Sequence, residues 1–95
     1  MPRGEKSKSI ASVILLELED ESDEEGTFLV FYDFRKKPSQ YFYKNVHRIF
    51  ETLEDGAFIQ ASTIECKRLK TARAIEKLAK RYEADVLLYR AEPLE

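Results

Sequence analysis

Asp33 is the residue of this sequence best placed to do chemistry. It closes Thr27-Phe28-Leu29-Val30-Phe31-Tyr32-Asp33-Phe34, a run that reads as a strand, and ligands of open α/β sheets collect beyond strand ends. A carboxylate there, beside Arg35, suits a divalent metal or a proton. The plainer reading is a turn residue hydrogen-bonded to nearby backbone. No second acid accompanies it in the local sequence. Bases do. Arg35, Lys36, Lys37, Lys44 and Arg48 fall in 34–50, a stretch without an acid, and Lys67, Arg68, Lys70, Arg73, Lys77, Lys80 and Arg81 share theirs only with Glu76. Both groups begin where helices are expected to begin. That placement opposes the helix dipole by about 0.3–1 kcal/mol per charge. It also joins free amides to positive side chains, the makings of a phosphate site. Arg35, Lys36, Lys37, Lys67, Arg68 and Lys70 are therefore the candidate nucleic-acid contacts, against the alternative of solvated helix faces. Tyr41 and Tyr43 either stack on bases or flank a core stripe.

Other reactive types are sparse. His47, the single histidine, sits at the edge of an apolar helical stripe with no Ser or Cys nucleophile in a recognisable motif. Cys66, the single cysteine, ends an expected strand and reads as a small half-buried residue. It excludes an internal disulfide and a cysteine-based zinc cluster, and suits a reducing cytoplasm. The sequence has no G-x-G-x-x-G, P-loop, H-E-x-x-H or nucleophile elbow, which argues against nucleotide hydrolysis, zinc proteolysis and Ser-His-Asp chemistry.

The elements that must hold these residues follow from pattern. Ninety-five residues, 43% hydrophobic and 36% charged, make one domain with one modest core. The charged fraction is of the kind thermophilic proteins favour. No apolar run reaches membrane-spanning length and the N-terminus reads as no signal peptide. Residues 1–8 read as a polar flexible tail and 9–95 as a single domain. The net charge of −2 hides a block, 17–25, that carries seven acids and no base, expected as a solvated hairpin tip, a decoy for nucleic acid or a contact for a basic partner. Ile10–Leu18 is expected as a strand, paired through that loop with the strand from Thr27, which is nearly all apolar and so expected to be covered on both faces. Ser39 caps a helix whose stripe is Phe42, Val46, Ile49, Phe50 and Leu53, with Gly56 as its left-handed stop. Ala57–Cys66 reads as a strand with imperfect alternation, hence a bulge or a bend. A second helix, Leu69 to Tyr82, and a strand, Asp85 to Tyr89, complete the order.

Three features together resemble a known family: the apolar strand ending in Tyr32-Asp33, the Gly56-closed helix followed by Phe58-Ile59-Gln60-Ala61-Ser62-Thr63-Ile64-Glu65, and the closing helix and Asp85–Tyr89 strand. Over about residues 26–92 the chain looks like the small ferredoxin-like subunit of CRISPR adaptation complexes and the related toxin endoribonucleases. The resemblance implies an α+β, ferredoxin-like β-α-β-α-β sheet with two helices on one face, here with the Ile10–Leu18 strand added as a hairpin. It implies a homodimer working on nucleic acid, with Asp33 as the catalytic residue, holding Mg²⁺ or Mn²⁺ at the dimer axis near Ser62. A metal-dependent endonuclease or endoribonuclease is then one expectation, and a non-catalytic interaction or assembly module the other. The decisive geometry is that of Ala57–Cys66. As one strand it makes its neighbours parallel and gathers all six candidate bases around Asp33. As a hairpin it sends the two helix starts to opposite edges.

Overall fold

The computed structural model describes residues 9–92 and 94; the tail expected over 1–8 lies outside the described residues. The elements run α1 (Ile10–Glu17), β1 (Glu25–Asp33), α2 (Gln40–Leu53), β2 (Ala57–Gln60), β3 (Thr63–Arg68), α3 (Leu69–Arg81) and β4 (Asp85–Ala91). The strands form one open antiparallel sheet in the order β2-β3-β1-β4. The described residues make a small α+β fold of four strands and three helices.

The first correction is at the N-terminus. Ile10–Glu17 is a helix, not a strand, so there is no N-terminal hairpin and the acidic block is not its tip. Both neighbours of β1 are already β3 and β4, which leaves no place beside it for a further strand. The helix is fixed locally by the Ser9 hydroxyl, which accepts the Ser12 N–H at 3.1 Å, and from afar by Asn45, whose Oδ1 accepts the Ala11 N–H at 2.9 Å. Asn45 in turn donates to the Tyr41 carbonyl at 2.8 Å, so one buried amide bolts α1 to α2. Ala11, Ile14 and Leu18, spaced i, i+3 and i+7, are buried. This helix touches both α2 and α3.

α2 and α3 follow their stripes. Ser39 caps α2 by accepting the Tyr41 N–H at 3.0 Å, and Phe42, Val46 and Ile49 are fully buried. The left-handed cap falls on Glu54 (φ 53°), not Gly56. Gly56 adopts φ 113° two residues later, where a Cβ would run into the Phe50 ring. In α3, Ile75, Leu78 and Ala79 are fully buried.

β1 is interior in the sheet but covered on one face only, the second correction. Phe28, Val30 and Tyr32 point into the helical layer and are buried. Leu29, Phe31 and Asp33 point the other way, and Phe31, read from its apolar neighbours as a core residue, is 37% exposed. The third correction concerns Ala57–Cys66. It is a hairpin turning at Ala61-Ser62, with a register irregularity between Phe58 and Gln60. The Tyr32 hydroxyl donates to the Ala61 carbonyl at 3.0 Å and the Tyr32 N–H to the Ser62 carbonyl at 3.1 Å. Of the two arrangements, the hairpin is the one observed.

Candidate functional site

One end of the sheet collects the chemistry. β1 finishes there at Asp33, β4 starts there at Asp85, and the two residues are direct cross-strand partners. Opposed like charges on adjacent strands repel, so this pair is not explained by sheet stability. The β2–β3 turn brings exposed Ser62 to the same end, where Phe31, Asp33, Ser62, Asp85 and Leu87 line a depression of about 380 Å³. The loop after β1 carries exposed Arg35, Lys36 and Lys37 past it. That loop lines a cleft of about 430 Å³ with Ser39, Tyr82, Glu83 and Asp85, and a second of about 340 Å³ with Asp33, Tyr43, Ala61 and Ser62. Among the described residues Arg35, Lys36 and Lys37 have no ion-pair partner, whereas Lys67 pairs with Glu65 and Arg68 with Asp23. Below the loop, Tyr32, Phe34, Phe42 and Tyr43 form a run of edge-to-face rings that makes its floor rigid. Burial, and then Tyr43, raise the Tyr32 phenol far above its ordinary value. It is a neutral hydrogen-bond donor, not an acid.

Lys67, Arg68 and Lys70 lie at the opposite end, where Arg68 faces Glu25 across the β1–β3 pair. The sequence places these bases against the α3 dipole, and the fold supplies carboxylates to answer them. Asp23 Oδ1 accepts the Lys70 N–H at 2.9 Å while its Oδ2 meets Arg68 Nη2 at 2.8 Å. Asp55 accepts the Lys67 and Arg68 N–H groups, each at 2.9 Å, and the Glu24 carbonyl accepts the Leu69 N–H at 2.8 Å. Burial raises the Asp23 carboxyl, but the Lys70 amide and the Arg68 guanidinium outweigh it and hold the group below its ordinary 3.8. The start of α3 is thus occupied by protein carboxylates. The acidic block supplies much of this: Glu17 also meets Lys77 and Arg81, and Glu24 meets Arg90.

His47 is exposed, with its ring against Phe50 and Phe58, far along α2 from Asp33. Cys66 is fully buried, and burial followed by the Asp55 and Glu65 charges pushes its thiol up to about 12. Neither joins the site. Sequence reasoning missed Asp85 as the companion of Asp33. The usable signal was that antiparallel pairing sets the start of the last strand against the end of the first.

Whether this end suits a divalent ion depends on its donors. Among the described residues no group of three His, Cys, Asp or Glu side chains gathers, so a closed protein cage is not built. Two adjacent carboxylates fit Mg²⁺, which typically takes one or two carboxylates and completes its shell with water and substrate phosphate. No helix of the described residues is long and apolar enough to cross a membrane. No protein-family model, curated protein or solved structure matches the chain.

Proposed function

We propose that this chain is a nucleic-acid-associated protein of ferredoxin-like fold that grips a phosphodiester backbone at the Asp33 end of its sheet. The fold reading is supported by the β-α-β-β-α-β order that follows α1 and by the sheet order read as β4-β1-β3-β2. The observation that carries the function is the run Arg35-Lys36-Lys37, exposed and without ion-pair partners among the described residues, beside the Asp33–Asp85 pair. Three uncompensated cations cost little when a phosphate backbone neutralises them, because binding releases the condensed counterions of the nucleic acid. Asp33 and Asp85 would hold Mg²⁺ or Mn²⁺. Such an ion lowers the pKa of bound water and neutralises phosphate charge, the chemistry of phosphodiester cleavage. In this reading Arg35, Lys36 and Lys37 position the backbone, Ser62 offers a hydroxyl to a phosphate oxygen, and the aromatic floor keeps the loop in place. Lys67 and Arg68, committed to Glu65 and Asp23, stand outside it.

The test combines binding and cleavage. Replacing Lys36 and Lys37 with alanine should weaken binding to all sequences alike and flatten the salt dependence by about one unit per lost contact. Asp33→Asn and Asp85→Asn should each abolish Mg²⁺- or Mn²⁺-dependent cleavage while leaving binding in place. Unchanged affinity and salt slope in the lysine variant refute the phosphate edge. Salt-dependent binding without metal-dependent cleavage leaves a non-catalytic assembly module, a reading favoured separately by Phe31, Leu87 and Tyr89, exposed on the side of β1 and β4 away from the helices.

A further inference from the structure

The bases of this chain fall into two sets. Among the described residues every base of β3, α3 and β4 except Lys70 meets a carboxylate in an ion pair. None between residues 34 and 50 does, and that stretch, with Arg35, Lys36, Lys37, Lys44 and Arg48, contains no acid. The first three form the loop beside Asp33. Lys44 and Arg48 lie beyond it on α2, exposed on the side opposite the buried Phe42, Val46 and Ile49. Spaced i, i+4, they are neighbours on the helix surface, where like charges destabilise it. Neither stands in the last turn of α2, where the helix dipole would favour a base; that turn holds none. The Lys44 ammonium rests against a neutral partner, the Tyr41 ring, 5.4 Å from its centroid. Tyr41 is itself exposed, whereas Tyr43 is half-buried against Phe42 and Phe58. Glu51, one turn past Arg48, is the first carboxylate after the stretch. Nothing within the fold answers the charge of this stripe.

We propose that the exposed side of α2 is a second phosphate-binding subsite, at which Lys44 and Arg48 carry the nucleic-acid backbone on from the Arg35–Lys37 loop. The inference rests on the phosphate reading of the Asp33 end and extends it to two residues that have no role there. Charge complementarity chooses the occupant. A run of cations without carboxylates repels itself in the free chain. A phosphodiester backbone removes that repulsion and releases its own condensed counterions in doing so. Continuity is the second argument. α2 starts at Gln40, directly after the loop and its cap Ser39, so the loop passes into the helix without a break. From Gln40 to Arg48 the axis rises about 12 Å, room for several phosphates of one strand. α3 offers no such track, because Glu17 and Glu76 hold its bases from Arg73 to Arg81.

Fluorescence anisotropy of the full chain with a labelled single-stranded oligonucleotide of about 30 nucleotides, over about 50–200 mM salt, tests this. The double variant Lys44→Ala with Arg48→Ala should bind at least tenfold more weakly at about 100 mM salt, and its salt slope should flatten by about 0.7 per lost contact. It should melt no lower than the parent, because neither base has an ion-pair partner to lose. Lys77→Ala with Arg81→Ala removes the same charge from α3, where both bases meet Glu17, and should keep the parent's slope. A Lys44 and Arg48 variant with the affinity and slope of the parent overturns the subsite; if the Lys36 and Lys37 variant is weakened in the same titration, the phosphate reading of the Asp33 end stands without it. A parent that binds no oligonucleotide overturns both. An equal loss of slope in the Lys77 and Arg81 variant overturns the subsite by reducing the effect to net charge. Poly-glutamate bound as tightly as the oligonucleotide also overturns it, by making the stripe a docking face for acidic protein segments.

Discussion

Replacing Asp23 with alanine removes, in one step, the acceptor for the Lys70 N–H at 2.9 Å and the carboxylate partner of Arg68 at 2.8 Å. A capping acceptor lost to alanine costs about 0.5–2 kcal/mol, and a partly exposed ion pair adds about 0.2–1 kcal/mol. The expected loss is therefore about 1–3 kcal/mol. For a domain of this size each kcal/mol moves the melting temperature by roughly 4–8 °C, so Asp23→Ala should melt roughly 5–20 °C below the parent. Asp23→Asn keeps an oxygen for the Lys70 amide but not the charge, and should fall between the two. The pH dependence has a definite sign. The Asp23 carboxyl is held below 3.8 in the folded chain, so the unfolded chain takes up the proton first on acidification. The ionised cap contributes in full above that ordinary value and is lost as pH falls through the lower, folded one. Urea titrations of parent and Asp23→Ala at neutral pH and in a series below pH 4 measure the gap directly. It should be widest at neutral pH and close on acidification. A gap below about 0.5 kcal/mol at neutral pH, or one that persists unchanged into acid, refutes the assignment of Asp23 as the cap of α3.

Two further outcomes follow from single positions. Gly56→Ala should destabilise the fold by about 1–3 kcal/mol, since alanine is strained at φ 113° and its Cβ meets the Phe50 ring; a urea midpoint equal to the parent's would refute this. Cys66, fully buried with its thiol pushed up to about 12, should resist alkylation in the folded protein near pH 8 and react at once in urea. Labelling of the folded chain at the rate of the unfolded one would show that the core around it is open.

The parts of this fold that were legible in the sequence are those with local signatures. α2 carries its own cap, Ser39, and a stripe that repeats at helical spacing through Leu53. α3 likewise has Ile75, Leu78 and Ala79 on one side and bases on the other. α1 has no such period: Ile10–Glu17 is apolar nearly all round, and its length fits a strand as well as a helix. Its one local signal is the Ser9 cap; the rest is remote, namely the filled places on both sides of β1 and the Asn45 amide 34 residues away. The β2–β3 hairpin was one of two open arrangements and stayed undecided because Ala61-Ser62 offers only a serine as a turn signal, without glycine, asparagine or proline; Tyr32, 29 residues earlier, closes it. The candidate site divides in the same way. Asp33 is visible as an acid at the end of an apolar run. Asp85 becomes its neighbour only through the antiparallel β1–β4 pairing, and the hairpin that separates Arg35–Lys37 from Lys67–Lys70 rests on a turn whose sequence signal is weak.

The carboxylates that complete α3 also determine when that helix can be finished. Its first turn begins with bases and holds no acid, so a nascent α3 is frayed by its own charges. The answering groups lie 47 residues back at Asp23 and 13 residues back at Asp55. Asp23 stands just before β1, so it reaches the helix only once β1 has paired with β3 and set Glu25 opposite Arg68. The helix start therefore reports on the sheet: the first turn of α3 becomes ordered when the long-range strand pairing closes and frays when that pairing opens. Excised as a peptide, α3 should be weakly helical. Within the chain, this dependence joins the two layers into one cooperative unit, and the acidic segment, though it forms no strand of its own, becomes part of the folding transition.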